Sequence, residues 1–492
     1  MLSIILIAPL VAAALAWMAP RRWIAEGVTL AGTLVALGAS IAAASVITTS
    51  GHLSELHSWL YADALSALSA VVTAFIAVVA ALYSIGYLRV DMREQEPWHG
   101  AGLARVRRFY GLLNLFVLSM LAVPLANSLG VIWIAIEATT LSSVFLVAFY
   151  GSAEALEAAW KYVIIGSVGI ALALFGTVLT YYAGIHVLGQ SFDLNWSALA
   201  PVASRLNPDV MRLAFLFITV GYGAKTGLAP MHTWLPDAHS EAPSPISALL
   251  SGVLLSAALY AILRFFALAT PSLGRAYPAT LLLGFGLLSL LVAALLMLRQ
   301  RDYKRLLAYS SIEHMGLIAT GVAFGGALGV YGALYQLVNH AVTKTLLFFA
   351  SGQLLLKYET KQIAQVSGVL RVMPVTGPLL LIAGLAITGA PPFGVFASEF
   401  TILGAGFQVG QVAAALVALA LIATIFIAFL GHWNDMLFGP PTPGVTRGEV
   451  SMVSVAAMII TVTLVIGLGL ATPASLSALL RAAAQVLGGG AQ

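Results

Sequence analysis

The chain has 492 residues, of which 60 % are hydrophobic and only 9 % charged, against about 25 % charged in a typical soluble protein. Its 23 basic and 19 acidic residues are too few to wet a globular body of this size, which excludes a soluble enzyme and leaves a polytopic membrane protein. Cysteine is absent, excluding thiolate-held iron–sulfur clusters, disulfides and cysteine nucleophiles, and the net charge of +4 carries information only through its placement.

In chain order, apolar runs occupy about 2–20, 26–48, 64–88, 109–128, 129–150, 160–183 and 211–233. They continue at about 243–269, 279–298, 307–325, 329–356, 374–406, 409–431 and 450–472, and a short amphipathic tail follows at 475–487. The runs lack the period-two alternation of a barrel, so the predicted fold is an all-α polytopic membrane protein of about fourteen transmembrane helices. The first run lacks a preceding basic region and a following small-residue cleavage site and is read as a retained span, not a signal peptide.

Basic residues choose the side. Arg21, Arg22, Arg89, Arg93, Arg105, Arg107, Arg108, Arg299, Arg301, Lys304, Arg305, Lys357, Lys361, Arg371 and Arg447 follow odd-numbered runs. Only Arg205, Arg212, Arg264, Arg275 and Arg481 follow even-numbered ones. The bias predicts a bacterial cytoplasmic membrane protein with both termini on the non-cytoplasmic side. These loops read as topology signals, with no nucleic-acid partner, and the longest excursions, about 89–108 and 432–449, are too short to be domains.

Ionisable groups inside spans are expensive in hydrocarbon and are functional candidates by default. Glu137 is the acidic group of the fifth span, and the expense of a lone carboxylate predicts Lys225 or Lys161 as its partner. Lys161 has Glu157 one turn away and reads equally as an interfacial salt bridge. Lys225 lies in Gly-Tyr-Gly-Ala-Lys-Thr-Gly-Leu-Ala-Pro (221–230), where Gly227 and Pro230 break the helix and the C-terminal dipole favours a cation. Asp237, His239 and Glu241 follow on what reads as a loop, as a proton entry or as plain solvation; no metal ligands are expected there or elsewhere. His340 and Lys344 are four apart and share one face of the eleventh span, where a neutral histidine can relay protons or simply be a satisfied core residue. Glu399 sits beyond a second break, Thr-Gly-Ala-Pro-Pro-Phe-Gly (388–394), near a new helix N-terminus.

Breaks in spans seven and twelve, and single lysines in spans six and eleven, predict two inverted five-helix repeats offset by five. The resulting division is 1–108 (three helices and a loop), 109–269 (first repeat), 270–431 (second repeat) and 432–492 (loop, last helix and tail).

Gly-Ala-Lys-Thr-Gly-Leu-Ala-Pro-Met-His-Thr-Trp-Leu-Pro-Asp-Ala-His-Ser-Glu-Ala-Pro-Ser-Pro-Ile-Ser-Ala-Leu-Leu-Ser-Gly (223–252) resembles the signature of the antiporter-like membrane subunits. That family is shared by respiratory complex I, Mrp-type antiporters and group 4 membrane-bound hydrogenases, and the likeness covers about 100–435. Leu-Glu-Ala-Ala-Trp-Lys-Tyr-Val-Ile (156–164) and Asn-His-Ala-Val-Thr-Lys-Thr-Leu-Leu-Phe (339–348) are most similar to the hydrogenase-4 component F branch. The resemblance implies a mid-membrane proton path, with Glu137 as the fifth-helix carboxylate, Lys225 its partner lysine, Lys344 the eleventh-helix lysine and Glu399 the terminal acid. Ser256 stands where many complex I members carry a lysine and cannot hold a charge, so a central relay would pass through water, His314 or His340.

The expected function is movement of protons, or of sodium, within a hydrogenase-like or complex I-like redox-driven assembly, with other membrane subunits, a peripheral redox arm and the lipid bilayer as partners. No cofactor is expected on this chain. The rivals are a subunit of an Mrp-type secondary antiporter and a non-pumping membrane anchor. A haem protein is disfavoured because the nine histidines form no obvious axial pair.

Overall fold

The structure, a computed structural model, describes residues 1–92, 101–190 and 192–488; Arg93, counted above as a topology signal, lies outside the described residues. The chain forms α1 (Leu2–Met18), α2 (Arg22–Ser50), α3 (Ala64–Asp91), α4 (Ala101–Leu125), α5 (Leu129–Val147), α6 (Ala153–Leu188) and α7 (Pro208–Thr226). It continues with α8 (Trp234–Glu241), α9 (Ser244–Leu273), α10 (Ala276–Met297), α11 (Tyr303–Phe324) and α12 (Gly326–Tyr358). The last elements are α13 (Thr376–Ile387), α14 (Gly394–Gln408), α15 (Val412–Phe438), α16 (Met452–Leu470) and α17 (Ala474–Val486). The all-helical expectation misses one antiparallel hairpin, β1 (His52–Glu55) with β2 (Leu60–Asp63), in register His52 to Asp63.

Nine helices among the described residues, α2–α6, α9, α10, α15 and α16, are long and apolar enough to cross a membrane. The surface agrees with lipid as the solvent. Ile134, Leu141 and Phe145 on α5 and Trp160, Ile164 and Val168 on α6 are all more than half exposed, while Lys225, His314, His340 and Lys344 are fully buried. Large apolar side chains face outward while the ionisable groups of the spans are buried within an apolar core.

Local chemistry sets the breaks. Asn207 caps α7 through Oδ1, which accepts from the amides of Asp209 and Val210, and Pro208 opens the first turn. Gly227, at φ 82°, adopts the left-handed conformation that ends α7 one residue after Thr226. Small residues then bring α6 and α7 together. A Cβ on Gly221 would collide with the Ala173 amide and the Gly169 carbonyl, so only glycine allows this approach. Tyr162, Gly166 and Gly169 share one α6 face and Gly221 and Lys225 one α7 face, so this contact carries the Tyr162 hydroxyl to the lysine.

Three loop expectations need correction. The excursion predicted over 89–108 is helical at both ends, because α3 continues to Asp91 and α4 begins at Ala101; α15 likewise runs to Phe438. Lys304, counted as a loop charge, is fully buried and donates to the Ala242 carbonyl at 2.7 Å. Arg264, counted as a charge outside the even-numbered spans, is 2 % exposed on α9, where it forms a bidentate pair with Asp63 at 2.6 and 2.7 Å. Asp63 also caps α3 through the Ser66 amide, and Arg264 reaches the Tyr260 and Ser66 hydroxyls at 2.7 and 2.8 Å and lies over the Trp196 ring. Every arm of the guanidinium is engaged.

Candidate functional site

Lys225, in the last turn of α7, is fully buried. Its Nζ donates to Thr140 Oγ1 and to the Tyr162 hydroxyl, both at 2.6 Å, and sits over the Tyr162 ring. Among the described residues it forms no ion pair. Glu137 is not its direct partner, nor is it a partner of Lys161, which corrects the sequence expectation. Thr140 lies one turn along α5 and its hydroxyl stands between the two groups. It accepts from Lys225 and reaches Glu137 Oε2 at 3.5 Å, while the other carboxylate oxygen takes a 3.4 Å bond from Ser167 on α6. Lysine and carboxylate are therefore joined through one threonine.

Lys161 lies elsewhere. It is on the outer side of α6, paired with Glu157 at 2.7 Å and Asp237 at 2.9 Å, with a half-exposed side chain. The salt-bridge reading describes it, whereas Lys344, the lysine of the eleventh predicted span, sits in a wholly buried setting.

The segment 234–241 is a two-turn helix and not a loop, so Asp237 and Glu241, four apart, share one face and His239 takes the other. Asp237 reaches Lys161 and Arg305, and Glu241 takes Lys361 at 2.6 Å. His239 turns inward and is fully buried between the Trp234 and Phe348 rings. Its Nδ1 donates to the Leu235 carbonyl at 2.8 Å, which leaves Nε2 as a bare acceptor with no partner among the described residues. Trp234 packs tilted against Tyr162, ring centroids 4.7 Å apart, so aromatic packing joins the Lys225 pocket to His239.

The second cluster lies between α9, α11, α12 and α14. Lys344 is fully buried and donates to the Leu307 carbonyl at 2.7 Å, with no carboxylate in ion-pair reach among the described residues. His340 Nε2 donates to the Ser251 carbonyl at 3.2 Å, leaving Nδ1 unpartnered. That carbonyl lies in Leu250–Leu254, where α9 winds as a π-helix, a local change in hydrogen bonding common at functional positions. His314 stands 5.1 Å from His340, ring to ring, and its Nδ1 is held by the Gln336 amide at 2.7 Å. Glu399, 6 % exposed, packs its carboxylate against Gly389, whose φ of 71° and missing side chain make the room.

Glu313 was not singled out from the sequence, yet it is buried and groups with His314 and Glu399, with ligand atoms mutually within 4.8 Å. Its signal was present, an acid in the middle of the tenth predicted span beside a histidine. Thr140, Tyr162 and Gln336 carried no such signal, because neutral side chains in an apolar helix are unremarked until their partners are known. Ser256 is buried and returns its hydroxyl to the Gly252 carbonyl at 3.3 Å. Beside it, Ser69, Thr73, Tyr260 and Leu337 line a cavity of about 10 Å³, the room of one water molecule.

The transmembrane family model described as NADH:quinone oxidoreductase/Mrp antiporter matches residues 126–426. The hydrogenase-4 component F homologue of Methylacidiphilum infernorum is 41 % identical over 387 residues, covering 78 % of this chain and 80 % of the relative. Hydrogenase-4 component B of Escherichia coli is 33 % identical over 389 residues, 76 % of this chain but only 55 % of that longer protein. In fold, a chain of the Mrp complex from Dietzia sp. DQ12-45-1b superposes with a TM-score of 0.87 at 19 % identity, over 99 % of this chain and 97 % of the other.

Proposed function

Because the chain belongs to the NADH:quinone oxidoreductase/Mrp antiporter membrane family, we propose that it carries ions through the membrane sector of a hydrogenase-like or complex I-like redox-driven assembly, with the proton as cargo. α1, α7, α11, α12 and the α13–α14 pair join the nine apolar helices as spans, completing fourteen, with 109–269 and 270–431 as inverted repeats and both termini on the non-cytoplasmic side of a bacterial cytoplasmic membrane. The observation that carries the reading is Lys225, a buried ammonium whose hydrogen-bond partners are two neutral hydroxyls and whose nearest carboxylate, Glu137, is one threonine away. A buried cation without a counterion is costly, so the state with Glu137 withdrawn favours handing the proton on, and the state with Glu137 apposed favours holding it.

From Lys225 the path runs past His239 and His340 to Lys344, then through His314 to Glu399. His239 and His340 suit it because each is fixed by a backbone carbonyl and keeps one ring nitrogen bare to accept. Asp237 and Glu241, held by Lys161, Arg305 and Lys361, order the mouth of the path. Redox chemistry in partner subunits supplies the energy.

The test is Lys225→Ala in membranes containing the assembled complex. Redox-coupled proton uptake, followed with a pH-sensitive dye, falls to background while the subunit stays assembled; uptake at the unaltered rate rejects the role. Uptake that follows sodium instead of acidification would reassign the cargo. The non-pumping anchor draws on Ser256, and retained coupling in both Lys344→Ala and Glu399→Ala would favour it.

A further inference from the structure

Besides His340 Nδ1, three polar atoms in the second cluster are buried without a hydrogen-bond partner among the described residues: Glu313 Oε2, His314 Nε2 and Glu399 Oε1. They belong to the same three residues whose ligand atoms gather within 4.8 Å. Buried polar atoms left unsatisfied are uncommon, and three on residues whose ligand atoms gather this closely mark a place that something polar can fill. From this we propose that Glu313, His314 and Glu399 form a binding site for a first-row divalent cation of the zinc type.

The donor set fits that class. Two carboxylate oxygens and one imidazole nitrogen are zinc ligands, and two negative charges match a dication. Tetrahedral donors about 2.0–2.2 Å from a zinc ion lie roughly 3.3–3.6 Å apart. Closing the present cluster onto the metal thus needs movements of about an ångström, within the reach of glutamate side-chain rotation.

The surrounding shell fixes the ligands. Ser398 lies within bonding reach of three acceptors, Gln336 Oε1 and the carbonyls of Gly394 and Val395, but has a single proton to give. Turning the Gln336 amide over removes the conflict. Its NH2 then donates to Ser398, Ser398 donates to Gly394, and Gln336 Oε1 accepts from His314 Nδ1. That leaves Nε2 as the bare nitrogen, beside the backbone of Ile387, in the tautomer a metal-binding histidine requires and with the outer partner that usually enforces it. Gly389 forms the opposite wall, since any side chain there would displace the Glu399 carboxylate. Where Glu399 carries the moving ion, as in the reading above, the bound metal stops the path at its last station.

The experiment uses the purified full chain and Zn²⁺ alone. The expected result is one equivalent of bound zinc, with an absorption-edge spectrum showing oxygen and imidazole donors at about 2.0–2.2 Å. Glu313→Gln removes the stoichiometric binding. Gln336→Ala, which leaves all three donors in place, weakens it about ten- to a hundredfold. Absence of stoichiometric zinc, or zinc held equally by Glu313→Gln and Gln336→Ala, overturns the site. Zinc that binds while Glu399→Gln leaves ion uptake intact sinks the relay reading and keeps the site; no zinc, with uptake lost in Glu399→Gln, does the opposite.

Discussion

Two buried cations in this molecule are treated in opposite ways. Arg264 is surrounded by Asp63, Ser66 and Tyr260, with each guanidinium nitrogen bonded and its carboxylate partner also serving as a helix cap. Lys225 is equally buried but is given two hydroxyls and no carboxylate. Among the described residues, His239, Glu313, His314, His340 and Glu399 each hold one buried polar atom without a hydrogen-bond partner, as do residues off the path such as Tyr110, Tyr222 and Gln353, while Asp63 and Arg264 hold none. A saturated charge is fixed in place and holds elements together. An unsaturated one retains a reason to move its proton, and its expense is the signature of work to be done.

Breaking each region should therefore have a different consequence. The largest effect on stability is expected from Asp63→Asn, which strands a buried guanidinium while keeping an oxygen that can cap α3. A loss of about 3–5 kcal/mol is expected, read as a lowered midpoint of unfolding in detergent, and a midpoint within error of the parent would show that the clasp is not structural. Next comes Thr140→Val, which removes the hydroxyl between Lys225 and Glu137. Ion uptake should slow about tenfold, equivalent to about 1.4 kcal/mol, with the rate of the redox reaction in uncoupled membranes as the control. Lys225→Met isolates the contrast with Arg264. Removing a buried charge that lacks a counterion should leave stability within about 1 kcal/mol of the parent or raise it, even as transport disappears; a collapse like that of Asp63→Asn would mean that the lysine is a structural clasp after all. The smallest effect is expected at Lys161, which is solvated and paired at the rim. Lys161→Gln should leave both the unfolding midpoint and coupled uptake unchanged, and a transport defect there would extend the path outward along α6.

How much of this was legible beforehand depended on whether a residue's meaning is local. The breaks after Lys225 and before Glu399 were readable because glycine and proline act on their own backbone. The depth of Lys225, Lys344 and Glu399 was readable from the apolar runs around them. The pairing of Glu137 was misjudged because it hinges on which hydroxyl intervenes, a matter of α5 facing α7. Lys304 was assigned to a loop because a boundary set by hydropathy moves when a buried partner absorbs the charge, and Arg264 was counted with the loop charges although the run 243–269 contains it. Hydropathy also understates the helices that matter most here: α7, α11 and α12 are long enough to span but fall outside the nine apolar ones, since they hold Lys225, Glu313, His314, His340 and Lys344.

By itself the sequence determined a membrane-embedded helical chain, its breaks, and the main inventory of charges sunk into it, because hydrophobicity and backbone preference are properties of short segments. Only the tertiary structure decided which charges are saturated. Whether Lys225 meets a carboxylate or a hydroxyl, and whether Glu313 stands alone or with His314 and Glu399, depends on contacts between helices distant in the chain. Those contacts are set by small residues such as Gly169 and Gly221 that let backbones touch, and no local pattern encodes what a neighbouring helix will present across the gap.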